Sequence, residues 1–299
     1  MTKVATIMGS NGKSAPAFRQ RRFRGLSLSG FHEIAYTDWG PEDSKSTVIC
    51  VHGLTRQGRD FDVLAAALAA QGHRVLCPDL PGRGESQWLR HTMDYVFPQY
   101  CADMNALMSG LSGRISWVGT SLGGLIGIVL AGQEGSPIVR LALNDIGPDV
   151  SFAAAGRISL RCARMPSSFA TFDEAEAGYR KAFRTCGPMT DAQWRDFVGN
   201  SLKFDESQNR FVSRMDPKVE TAFNWFWYYQ IPIWTYFNKI KGEILSIRGE
   251  TSDFVPPELV RHMRRVKPDL ATLEVAGVGH MPMLMSDPEI SALTSFLKI

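Results

Sequence analysis

Ser121 stands between two glycines in Gly119-Thr-Ser-Leu-Gly123, and this spacing carries a specific chemistry. The apolar run Ile115-Ser-Trp-Val118 reads as a buried strand, and Gly124 to Ala131 reads as a helix. A serine at a sharp strand-to-helix turn projects its hydroxyl outward, a nucleophile elbow. Side chains two positions before and after it would collide, which explains the glycines. The same turn places the hydroxyl at a helix N-terminus, where backbone N–H groups face a developing negative charge.

A serine hydroxyl is a weak nucleophile, so it needs a base, and the base needs a carboxylate to orient it. His280 is the candidate base. Of six histidines, it is the one that follows a late strand within a loop, Gly277-Val-Gly-His-Met-Pro282. Two loop carboxylates compete as its partner. Asp253, in Arg248-Gly-Glu-Thr-Ser-Asp253, is the preferred acid because its loop is turn-rich and lies one crossover before His280. Asp145, in Leu143-Asn-Asp-Ile-Gly-Pro148, is the alternative, and Glu250 is an outside choice. Acyl transfer also needs donors for an oxyanion. The N–H of Leu54, in Val51-His-Gly-Leu-Thr55, and that of Leu122 after the nucleophile would supply them. His52 reads as structural, and so does the glycine-rich turn Asp79-Leu-Pro-Gly-Arg-Gly-Glu-Ser86, which lacks the Gly-Lys-Ser/Thr of a phosphate cradle.

The elements that must position these groups alternate along the chain. Strand-like runs at 31–37, 46–51, 73–77, 115–118 and 138–143 are separated by helix-like segments at 60–70, 95–111 and 124–131. Short apolar strands alternating with helices predict a mostly parallel, doubly wound sheet covered on both faces. Its C-terminal edge is where such sheets hold ligands. The rhythm stops near Pro148 and resumes at Glu243. The predicted organisation is therefore a flexible basic tail over 1–24, an α/β core over 25–149 and 240–299, and a helical cap over 150–239 inserted after the sixth strand. The aromatic stretch 223–237 reads as cap core, with Trp225 and Trp227 joining Met281 as candidate pocket residues. Arg157, Arg161 and Arg164 share one helical face, a solvated surface or a site for a substrate carboxylate.

Bulk properties exclude several classes. A net charge of +3 over 299 residues does not indicate a nucleic-acid partner, and no run approaches the roughly 20 apolar residues of a membrane span. Five cysteines without a CxxC pair suggest small core residues in a reducing, cytoplasmic setting. No cluster has metal-ligand spacing, and no cofactor is expected. The expected partner is a small-molecule ester or lactone.

His52-Gly53, Asp79 to Ser86, Gly119 to Gly123, Arg248 to Asp253 and Gly279-His280 occur in one order over residues 25–299. In this the chain resembles the α/β-hydrolase superfamily, in particular its serine-nucleophile branch with a helical cap. That resemblance implies a carboxylesterase or lactonase working through a covalent acyl-enzyme. A hydrolase of carbon–carbon bonds in vinylogous diketo acids and a non-catalytic ligand sensor are the alternatives. Epoxide hydrolases and haloalkane dehalogenases share the architecture but carry Asp at the nucleophile, which Ser121 argues against. Leu54 departs from the more glycine-rich or aromatic versions of its loop.

Overall fold

The computed structural model describes residues 4–5, 18–150, 153–154, 156–157, 160, 164–226 and 231–298, without the side chains of 4–5 and 223–226. The run of β-rich segments pairs into one nine-stranded sheet. In chain order its strands are β1 (Val4–Ala5), β2 (Phe18–Ser27), β3 (Gly30–Trp39), β4 (Thr47–Val51), β5 (Arg74–Pro78), β6 (Ile115–Thr120), β7 (Ile138–Asn144), β11 (Glu243–Gly249) and β12 (Ala271–Val275). Their spatial order is β1-β2-β3-β5-β4-β6-β7-β11-β12. From β5 to β12 every pairing is parallel, while β1, β2 and β3 form an antiparallel edge.

Both faces of the sheet are covered, which is why β4 and β6 are buried at every position. One face carries α2 (Phe97–Ser109), α3 (Leu122–Ala131) and α8 (Pro257–Val266), packed with Ile49, Leu76, Trp117 and Leu141. The other carries α1 (Asp62–Ala69) and α9 (Asp287–Phe296), packed with Val48, Cys50, Val118 and Ile247. Helix α3 is buried along its whole length, which its sequence anticipates by having no polar face.

Two boundaries differ from expectation. Residues 18–24 are not tail but most of β2, in register with β3. The basic run is accommodated because Arg19 and Arg21 ion-pair with the fully buried Asp38, which also binds Arg74. The insertion between β7 and β11 is not purely helical. It combines α4 (Phe172–Ala182), α5 (Asp191–Ser201) and α6 (Lys218–Phe226) with a three-stranded antiparallel sheet, β8 (Ser168–Phe169), β10 (Arg210–Ser213) and β9 (Leu202–Asp205).

Thr171 and Thr190 cap α4 and α5, and Gln193 completes a capping box with Thr190. The described aromatic core of the cap is Phe169, Tyr179, Phe183, Trp194 and Phe197. Within the stretch 223–237, residues 227–230, including Trp227, lie outside the described residues, as does the side chain of Trp225. Phe237, on α7 (Ile233–Lys239), packs into the main core rather than the cap. No described helix is long and apolar enough to cross a membrane.

Candidate active site

The elbow forms where β6 turns into α3. Ser121 has φ 50° and ψ −115°, a strained conformation for a residue with a side chain. The flanking glycines are sterically required. A Cβ on Gly119 would overlap the Gly123 carbonyl, and one on Gly123 would overlap the Val51 carbonyl. Beneath the turn, the buried Trp117 indole donates to the Gly123 carbonyl at 2.9 Å. The Leu122 N–H is the first of its helix and has no intrahelical acceptor.

Sheet register sets what stands beside the serine. Thr120 pairs with Asn144, and Asn144 pairs with Ile247, so the ends of β6, β7 and β11 lie side by side. Asp145 follows β7 directly, at φ 53°, and is fully buried. Its Oδ2 lies 2.7 Å from His280 Nδ1 and accepts from Ser252 Oγ at 2.6 Å, while its Oδ1 accepts from the Gly249 N–H at 2.9 Å. A carboxylate can only accept here, so Nδ1 carries the proton and Nε2 is left as the basic nitrogen. The imidazole also stacks on Phe254, ring centroids 3.9 Å apart.

The histidine's partner is therefore Asp145 and not the expected Asp253. Asp253 is half-exposed and bonds Arg157 at 2.5 Å. Its loop reaches the pair through Ser252, one residue earlier, which points the next side chain outward. Glu250 binds the Gly277 N–H instead. Of the three arginines noted above, Arg157 is neutralised by Asp253, Arg161 lies outside the described residues and Arg164 is exposed.

Asn144 ties the two halves of the site together. Its carbonyl accepts from the Ser121 N–H at 3.0 Å. Its side-chain amide donates to Thr120 Oγ1 at 3.0 Å and to the Pro282 carbonyl at 2.9 Å. Its place between an apolar strand and an acid was the only sequence signal of this role.

The loop after β4 closes over the serine. A Cβ on Gly53 would sit 3.4 Å from Ser121 Cβ and 3.8 Å from Met281 Sδ, which puts both residues against this loop. His52 is fully buried. Its Nε2 accepts from the Leu80 N–H at 2.8 Å, so Nδ1–H donates to the Gly53 carbonyl at 2.7 Å. Burial, with Arg83 nearby, pushes its pKa down to about 3. Arg83 Nε donates to the Leu54 carbonyl at 2.9 Å. The turn from Asp79 to Ser86 thus holds the Leu54 peptide in place, and Asp79 braces it by accepting from the Gly58 and Glu85 N–H groups.

The cap reaches the site from above. The Thr185 carbonyl accepts from the Gly279 N–H at 2.7 Å, and Met281 and Met283 are embedded in the cap's aromatic core. A cavity of about 400 Å3 lies between cap and core, bordered by Thr55, Arg56, Trp88, Phe183, Lys203 and Met215 among others. Among the described residues no group of side chains is arranged to hold a metal ion.

Comparison with known proteins agrees with this architecture. The chain is 36% identical over 279 residues to a 3-hydroxybutyrate-oligomer hydrolase from Cupriavidus necator, covering 91% of this chain and 94% of the relative. An α/β hydrolase from Novosphingobium aromaticivorans superposes with a TM-score of 0.83 at 30% identity, covering 94% and 98% of the two chains. E-2-(acetamidomethylene)succinate hydrolase shares the fold, with a TM-score of 0.79 at 18% identity over 93% and 99%. The model of the alpha/beta hydrolase family matches residues 48–292, and the chain belongs to that family.

Proposed function

We propose that the protein is a serine hydrolase that cleaves the ester bonds of short hydroxyacid oligomers through a covalent acyl-enzyme. The observation that carries this reading is the 2.7 Å bond between Asp145 and His280 at the sheet edge that also holds the Ser121 elbow. Ester chemistry, rather than carbon–carbon cleavage, is favoured by the similarity to a 3-hydroxybutyrate-oligomer hydrolase over nearly the whole of both chains.

In this mechanism Ser121 Oγ attacks the ester carbonyl while His280 Nε2 takes its proton. Asp145 keeps the imidazole in that tautomer and stabilises it when charged. The N–H groups of Leu54 and Leu122 bind the oxyanion. The proton passes from His280 to the departing alcohol oxygen. Water, deprotonated by His280, then attacks the acyl-enzyme and releases Ser121. Water is the only co-reactant needed.

The cavity beside Thr55 is lined by rings and thioethers (Trp88, Phe183, Met165, Met215), by hydroxyls (Ser167, Ser213) and by charged groups (Lys203, Asp205, Glu220). Such walls suit a chain with an ester group every few atoms better than a plain fatty acyl chain. Lactones, simple esters and ring-fission diketo acids are the competing substrates. The test is hydrolysis of 3-hydroxybutyrate dimer and trimer beside short p-nitrophenyl esters, a lactone and a vinylogous diketo acid, with Ser121→Ala as control. Oligomer cleavage that falls by at least about 10³-fold in the variant is expected. Turnover undiminished in Ser121→Ala, or preference for the diketo acid, would overturn the reading.

A further inference from the structure

The oxyanion loop is gripped from both sides, and the upper grip comes from the cap. Below it, Arg83 binds the Leu54 carbonyl. Two residues after Leu54, Arg56 is 4% exposed and turns toward the insertion. Its Nε and one terminal nitrogen form a fork with Asp60 at 2.7 and 2.6 Å. The face of its guanidinium lies 3.6 Å from the ring centroid of Phe197 and 5.2 Å from that of Phe183. Both rings belong to the aromatic core of the cap. A planar cation held edge-on by a carboxylate and face-on by a ring has little freedom left. The Arg56 N–H also closes a turn on the Gly53 carbonyl at 3.1 Å, so movement of Arg56 moves the backbone that presents the Leu54 N–H.

We infer that Arg56 is a positioning residue that couples the cap to the oxyanion hole, so that packing of the cap sets the reactivity of Ser121. The inference rests on the serine-hydrolase reading and goes beyond it. It makes the cap part of the machinery that stabilises the transition state, in addition to any pocket it forms. Arg56 acts through Leu54. Arg56 also borders the cavity, but Asp60 occupies its fork and Phe197 covers one face, and the KM readout separates a substrate contact from a positioning role. The other side of the site is attached to the cap in a parallel way, through the Gly279 N–H on the Thr185 carbonyl.

The experiment compares full-length wild type, Arg56→Met, Arg56→Lys and Phe197→Leu. Steady-state hydrolysis of 3-hydroxybutyrate trimer and the rate of Ser121 phosphonylation by a fluorophosphonate are the readouts, with circular dichroism to check folding. Displacing an oxyanion donor lowers kcat without weakening ground-state binding. Arg56→Met is therefore expected to lower kcat by about 10- to 100-fold with KM within about threefold, and to slow phosphonylation by a similar factor. Arg56→Lys restores the charge without the fork and should fall between. Phe197→Leu approaches the same contact from the cap and should act in the same direction. Its effect should not add to that of Arg56→Met in the double variant. If Arg56→Met does not fold, Arg56→Lys and Phe197→Leu carry the comparison. A raised KM with intact kcat would make Arg56 a substrate contact and overturn the inference. So would wild-type kcat and phosphonylation in folded variants. A wild type that neither reacts with the probe nor cleaves any ester would remove the hydrolase reading itself.

Discussion

Asp145 Oδ2 and His280 Nδ1 stand 2.7 Å apart although 135 residues separate them in the chain. The pair is buried, with Asp145 fully enclosed and His280 8% exposed. The Gly249 N–H and Ser252 Oγ donate to the same carboxylate and fix its orientation toward the ring.

Asp145→Asn is expected to lower kcat by about 10³- to 10⁴-fold, because an amide in that position can favour the wrong imidazole tautomer. Asp253→Asn should change kcat by less than about threefold, since it removes only an exposed ion pair with Arg157. Ester turnover by the two purified variants decides between them, and the reverse ranking would return Asp253 to the role of acid.

The glycines of the elbow should be intolerant even of alanine. At Gly123 an added methyl overlaps backbone of β4, which cannot yield without moving the sheet. Gly123→Ala should destabilise by about 3 kcal/mol or more, read as a shift in urea midpoint. Gly53→Ala, whose methyl meets Ser121 Cβ at 3.4 Å, should stay folded within about 1 kcal/mol. Similar losses for the two variants would contradict this steric account.

Asn144→Asp replaces a buried donor with an acceptor that faces the Pro282 carbonyl and neighbours Asp145. Loss of about 3 kcal/mol of stability is expected, from repulsion and an unpaired buried charge. Surviving folded protein should show reduced kcat, because Pro282 no longer fixes the His280 loop. Chemical denaturation at neutral pH measures the first effect, and an unchanged midpoint would rule out the bridging role.

His52 predicts an acid-sensitive component of stability. Its folded pKa of about 3 lies below the ordinary 6.5, so the unfolded chain binds the extra proton first. Stability is full above pH 6.5 and declines as pH falls from there toward 3. At pH 4 the difference amounts to about 3 kcal/mol, an upper-end figure for a fully buried ring. His52→Gln removes this component, so its deficit relative to wild type should shrink between pH 7 and pH 4. A deficit that stays constant in urea titrations across that range would exclude it.

The local parts of the site were legible because each has a short-range cause. A serine between glycines, a strand before it and an apolar helix after it define Ser121 without any distant contact. Gly53 and the loop around His280 were readable on the same terms. The acid was not. Asp145 and Asp253 both follow strands, and both lie in turns at one edge of the sheet. What separates them is lateral order, since β7 sits between β6 and β11 and puts Asp145 one strand from Ser121. Side-chain direction completes the choice, with Ser252 turned inward and Asp253 outward.

Arg56, Arg83 and Asn144 escaped notice for a related reason. Nothing in their immediate neighbours distinguishes a buried arginine that holds a peptide from a solvated one. Their partners, Phe197, the Leu54 carbonyl and the Pro282 carbonyl, come from distant stretches of chain. The mixed character of the cap was hidden too, because β8 is two residues long and pairs with a strand more than forty positions away. The sequence alone thus determined the strained Ser121 turn, the alternating α/β core and the place of the insertion, all of which follow from local sterics and hydrophobic period. Only the tertiary structure decided which carboxylate pairs with His280 and which residues hold the loop after β4, because those depend on which strand ends and cap rings become neighbours once the sheet is assembled.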